Sequence, residues 1–106
     1  MTYNVVITDP AIGDIIEIAD YIKKLTGNDD ISDEYLTGIL QTAKTLNEMP
    51  YRFRISDEPA LAELGVRMIP YKEYLIAYGI EEDASAVIVY RVLYSRSDIR
   101  KRFFGN

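Results

Sequence analysis

Between residues 11 and 46 apolar side chains recur every three or four positions, and from residue 65 onward that rhythm gives way to short runs of Val, Ile and Tyr. The first rhythm is that of an amphipathic helix and the second that of a strand, so their order dictates helices inserted between strands.

Residues 3–8 read as the opening strand, because Val5, Val6 and Ile7 are β-branched and the run stops at Asp9-Pro10. Asp9 is the expected N-cap, with Pro10 at the first helical position. Ile12, Ile15, Ile16, Ala19, Ile22 and Leu25 then form the expected buried stripe, and Gly27-Asn28 stops the helix. Caps for a second helix lie within Asp29-Asp30-Ile31-Ser32. Its apolar positions are Ile31, Tyr35, Ile39, Leu40, Ala43 and Leu46, and Met49-Pro50 closes it. Two such helices with a short link predict a helical hairpin.

Residues 51–64 show no period and read as a connection with room for one short helical turn. Three strands are expected at 65–69, 74–80 and 86–93, the last two joined by a polar link short enough for antiparallel neighbours. Tyr74, Ile76 and Tyr78 should share one face, with Leu75, Ala77 and Gly79 on the other. In the last strand, Val87, Val89 and Arg91 should oppose Ile88, Tyr90 and Val92. Both faces are then apolar, so the helices should cover one, and the C-terminal segment or a partner the other. Residues 97–104 are expected to form a short helix or extension anchored by Ile99, Phe103 and Phe104. The fold class is α+β, with residues 1–106 as one domain.

The chain contains neither Cys nor His. That removes disulfides, thiolate nucleophiles, imidazole bases and the usual zinc and haem ligands. No glycine-rich phosphate loop is present, so no cofactor and no metal are expected. The N-terminus lacks a basic region followed by an apolar core, and no apolar run approaches about 20 residues; a cytoplasmic protein without membrane contact is expected.

Charge is unevenly spread. Residues 91–106 hold Arg91, Arg96, Arg100, Lys101 and Arg102 against Asp98, a net +4, so the rest of a chain at −5 stands at −9. The basic end suits an anionic partner, an RNA backbone or an acidic protein surface, while the acidic body disfavours non-specific adhesion to nucleic acid. Asp9, Asp14 and Glu17 fit the helix dipole better than a catalytic pair. Glu81, Glu82 and Asp83 lack the alternating ligands of a calcium loop and read as a solvated turn. Nine tyrosines against three Phe and no Trp suit sheet and interface positions. Tyr94, two residues before Arg96, stands apart because its hydroxyl and the guanidinium would present together to a phosphate or carboxylate. Arg67, Arg91 and Arg96 would form an anion-binding surface if they converge.

Tyr3-Asn4-Val5, Ala11 with Asp14-Ile15, and Tyr21-Ile22 open a pattern continued by Leu46 to Pro50, Gly65-Val66-Arg67, Tyr74-Leu75-Ile76-Ala77-Tyr78, and the run from Val87 to Asp98. In order and spacing this resembles the RelE/ParE superfamily of toxin-antitoxin toxins, also called plasmid stabilisation proteins. The resemblance covers nearly the whole chain. It implies a small toxin neutralised by a cognate antitoxin in a hetero-oligomer; one branch of the family cleaves messenger RNA in the ribosome and another inhibits DNA gyrase. Leu75 stands where the ribosome-dependent branch carries an arginine, a basic pair is reduced to Arg67 with Ile69, and Arg102-Phe103 replaces the C-terminal aromatic hydroxyl. Tyr94-Ser95-Arg96-Ser97-Asp98 also differs from the His-Gly-Arg-Arg-Asp-like ending of the gyrase-directed branch.

The resemblance therefore implies action by protein contact, with gyrase ahead of ribosome and messenger RNA as target. Arg67, Arg91, Tyr94, Arg96, Arg100, Lys101 and Arg102 are the expected contact residues. The alternative is a nuclease in which Arg67 and Arg96 steady the phosphate and Tyr94 moves a proton, or a non-toxic member that only binds antitoxin.

Overall fold

The computed structural model describes residues 2–105. Strand β1 (Asn4–Ile7) leads into helices α1 (Asp9–Thr26) and α2 (Asp29–Lys44). A five-residue helix α3 (Pro59–Glu63) precedes β2 (Arg67–Tyr71), β3 (Tyr74–Glu81) and β4 (Ala86–Tyr94), and α4 (Ile99–Phe104) ends the chain. The strands form one sheet in the order β1-β4-β3-β2, with β1 parallel to β4 and the other pairs antiparallel. This is the α+β arrangement that the order of rhythms predicts.

Local chemistry sets the helix ends. Thr8, not Asp9, caps α1: its hydroxyl accepts the Ala11 N–H at 3.3 Å, and Pro10 lies inside the first turn, where its missing N–H costs nothing. Gly27 closes α1 at φ 64°, a left-handed conformation that a Cβ would strain. Asn28 caps α2 by accepting from Asp30 and Ile31, one residue before the run expected to do so. The end of α2 tightens into a 3-10 turn at Thr45–Asn47, and Pro50–Arg52 forms another.

The buried stripe of α1 is Ala11, Ile15, Ile18 and Ile22, which corrects the sequence expectation. Ile12, Ile16 and Leu25 are exposed; positions 15 and 22 belong to either stripe, and only the sheet decides which neighbours join them. Together with Ile39, Ala43 and Leu46, this stripe packs on Ile69, Tyr74, Ile76, Tyr78, Val87, Val89 and Val92. Tyr78 has no exposed surface, and its hydroxyl donates to the Pro50 carbonyl at 2.6 Å, tying the middle of the sheet to the turn after α2.

The second face is covered from within the chain. Leu61 of α3, Val66 and Ala77 form a smaller cluster, against which Tyr90, Ile99 and Phe103 pack. The C-terminal segment is thus helical, with Asp98 accepting the Lys101 N–H as its cap. Ile99 and Phe103 anchor it as expected, whereas Phe104 remains exposed and touches the cluster only through Phe103.

A bulge resets β4. Ala77 pairs with Arg91 but Tyr78 pairs with Val89, so Tyr90 is an extra residue on β4. After it the alternation shifts by one: Val87, Val89 and Val92 all face the helices, which corrects the expected grouping of Val89 with Arg91. The Tyr90 ring lies across Gly79, where a Cβ would come within 2.7 Å of its hydroxyl, and meets Phe103 edge-on at 5.9 Å.

Candidate interaction groove

Because β1 ends at the Ile7–Val89 pair, β4 from Tyr90 onward has no strand on the side away from β3. The backbone groups on that edge need other partners, and the start of α1 supplies them. The Thr8 N–H donates to the Val89 carbonyl at 3.1 Å, and the Thr8 hydroxyl donates to the Tyr90 carbonyl at 3.0 Å. Further along α1 the Asp14 carboxylate accepts the Val92 N–H at 3.0 Å and holds Arg91 through two bonds, at 2.8 and 2.7 Å. The two side chains are only 12% and 25% exposed, so this fork-on-fork pair is largely sheltered. The bond to Asp14 raises the Arg91 pKa further above its ordinary value, against the opposing effect of burial.

Beyond this pair, α1 and β4 part to leave an open groove of about 1000 Å³. Glu17, Tyr21 and Leu25 of α1 form one wall, Lys101 and Arg102 of α4 the other, and Val92 to Tyr94 the floor. Tyr74 closes one end, with its ring edge-on to Tyr35 at 6.2 Å and to Tyr94 at 5.8 Å. Tyr21, Leu25 and Tyr94 are 57%, 67% and 42% exposed, a large apolar surface for a chain this small.

The Tyr35 hydroxyl donates to Glu73 at 2.7 Å, and that bond pushes its pKa up to about 12. At the far end of the sheet Tyr3 and Tyr51 both donate to the Glu82 carboxylate, and the bond to Glu82 pushes Tyr51 up to about 12 as well. Unfolded tyrosines ionise near pH 10, so both groups favour folding below pH 10, and that contribution disappears as the pH rises through about 12. Denaturation midpoints measured from pH 9 upward should fall across this window, and less steeply in Glu73→Gln. A flat profile would contradict the assignment.

The residues expected to act together are distributed differently. Arg67 pairs with Tyr78 in register, donates to the Phe53 carbonyl at 2.5 Å and lies 5.0 Å over the Tyr51 ring. Tyr94 pairs with Tyr74, four residues further along β3 and one strand beyond it. At about 3.3 Å per residue and 4.8 Å per strand, the backbones of Arg67 and Tyr94 are roughly 16 Å apart, and Arg96 follows Tyr94 in the turn after β4. Arg91 faces Asp14. Arg96, Arg100, Lys101 and Arg102 are exposed and have no ion-pair partner among the described residues. Arg67, Arg91 and Arg96 therefore do not converge. Glu82 serves as a hydrogen-bond acceptor, and no cluster of three or more acidic residues suited to a metal occurs among the described residues.

Tyr21, Leu25, Tyr35, Glu73 and Tyr74 were not singled out from the sequence as site residues. The available signal was the pair Tyr21 and Leu25, one helical turn apart on the flank of the Ile15–Ile18–Ile22 face.

The family described as ParE toxin of type II toxin-antitoxin system, parDE, matches residues 5–99. The chain belongs to the ParE toxin family. No curated protein matches it in sequence. Among solved structures, a chain of the chromosomal ParDE toxin-antitoxin system from P. aeruginosa is similar, with a TM-score of 0.73 at 18% identity, covering 88% of this chain and 96% of that one. A chain of the toxin-antitoxin complex RelBE2 from Mycobacterium tuberculosis gives 0.65 at 19% identity, over 89% of this chain and 92% of the other. At such identities the likeness concerns the fold, and it places this ParE-family toxin in the wider RelE/ParE architecture. No helix among the described residues is long and apolar enough to cross a membrane.

Proposed function

We propose that this ParE-family toxin arrests growth by contact with a protein target, DNA gyrase, and that a cognate antitoxin neutralises it. The observation that carries the reading is the dispersal of the nuclease set. The nuclease reading needs Arg67, Arg96 and Tyr94 together within reach of one phosphodiester. Here Arg67 is engaged by Phe53 and Tyr51 at one end of the sheet while Tyr94 and Arg96 lie at the other. Leu75 occupies β3 between them and offers no charge. The cations without an ion-pair partner among the described residues, Arg96 and Arg100 to Arg102, instead follow the end of β4 and suit an acidic protein surface.

Purified chain added to gyrase and relaxed plasmid should block supercoiling, while a message translated in its presence should remain intact. Codon-specific cuts that vanish in Arg96→Ala, with supercoiling unaffected, would overturn the proposal.

A further inference from the structure

The two edges of the sheet are built differently. On β2, Ile55 bridges Arg67, the Ser56 N–H donates to the Val66 carbonyl, and Pro70 has no N–H to offer. These are ordinary ways of keeping a sheet edge from pairing with another chain. β1 has none of them: Asn4 to Ile7 carry no charge, no proline and no bulge. The Asn4 and Thr8 N–H groups donate to the carbonyls of Ser85 and Val89, so residues 4, 6 and 8 turn their backbone groups toward β4. Val5 and Ile7 therefore turn theirs outward, where no hydrogen bond among the described residues reaches them. The opening has fixed ends. The Tyr3 N–H already donates to the Asn47 carbonyl at 2.7 Å, and after Thr8 the chain turns into α1. Val5 and Ile7 pack on the helix-side core, while Val6 lies on the opposite face, 41% exposed, with Ile88 of β4 beside it.

We infer that this edge is a site of self-association. Two copies pair β1 antiparallel across a two-fold axis at Val6, which joins two four-stranded sheets into one. Outward groups must face outward groups, and that fixes the register. Val5 of each copy exchanges a pair of hydrogen bonds with Ile7 of the other, and the two Val6 side chains meet directly. A slip of one residue would set Val5 and Ile7 against residues already bonded to β4. A slip of two would keep half the bonds, because Tyr3 is taken by Asn47 and Asp9 by α1. The pairing is far smaller than a standard interface, so the dimer is weak. Each copy carries a net charge of −5, so added salt strengthens it. None of this depends on which target the toxin strikes.

By sedimentation equilibrium the full chain should rise in mass from one copy toward two across about 10 μM to 1 mM. Over that range amide exchange should slow at Val5 and Ile7 and not at Val6, whose N–H faces β4. The chain has no cysteine, so Val6→Cys supplies a single thiol. Directly opposed residues of this kind lie about 4.5 Å apart at Cα, within reach of a disulfide. With diamide as oxidant this variant should become a covalent dimer, whereas Leu25→Cys, also exposed, should not. Val6→Lys and Val6→Glu should each stay monomeric, since like charges meet at the axis, and an equimolar mixture of the two should re-form the dimer. A mass of one chain at about 1 mM would overturn the inference and leave the edge to a strand of some other protein. So would equal cross-linking of the two cysteine variants. A dimer that survives Val6→Lys would overturn it too, by placing the contact elsewhere, such as the exposed Ile12 and Ile16 of α1.

Discussion

Truncating Tyr78 to alanine should lower the unfolding free energy by about 4 kcal/mol, the cost typical of deleting a fully buried aromatic ring. Tyr78 has no exposed surface, lies in the middle strand and touches both the helical hairpin core and the turn that follows α2. Tyr78→Phe separates the two contributions. It keeps the ring and leaves the Pro50 carbonyl without its donor, so it should cost about 1–2 kcal/mol. Urea denaturation of both variants reads the difference. If phenylalanine proves as damaging as alanine, the hydroxyl bond to Pro50 and not the packed ring holds the sheet to the turn.

The second large effect is expected at Asp14. Asp14→Ala leaves Arg91 sheltered without a counter-ion and the Val92 N–H without an acceptor at the strand edge. Breaking a fully buried pair costs more, but the 25% exposure of Arg91 lets water take part of the load, giving about 2–3 kcal/mol. The double variant Asp14→Leu with Arg91→Met should recover much of this, since the desolvation of both charges goes with them. A change in Asp14→Ala below about 0.5 kcal/mol would mean that the pair behaves as an exposed one. The same variant should broaden resonances at Tyr94 and Leu93, because the fixed distance between α1 and β4 that frames the groove depends on this carboxylate.

The parts of this molecule that could be read from the sequence are those governed by local chemistry. The switch from helical to strand rhythm, Gly27 as a stop, and the C-terminal helix with Ile99 and Phe103 all depend on neighbours within a few residues. What could not be read depends on distant ones. Ile12 and Ile18 are equally apolar, and their different fates follow from where the sheet lies beneath α1. A single extra residue at Tyr90 reverses the face of everything after it in β4, and no residue type announces such a bulge. Asp14 looked like a helix-dipole carboxylate because its partner, Arg91, is 77 positions away. The spread of the arginines follows from strand order: β3 separates β2 from β4, so Arg67 and Tyr94 cannot meet.

The pairing of β1 with β4 also bears on how the protein is born. Asn4 meets Ala86 and Ile7 meets Val89, so the first strand made waits for the last one. Such long-range parallel pairing closes late and slowly. A nascent or prematurely terminated chain that stops before residue 86 has no β4 on which to seat β1, no floor for the groove and none of the cations of the C-terminal end. The acidic residues before position 91 leave the ribosome ahead of the basic run from Arg91 to Arg102. Whatever harm this toxin does is therefore withheld until β4 has been made, a delay written into the order of its strands.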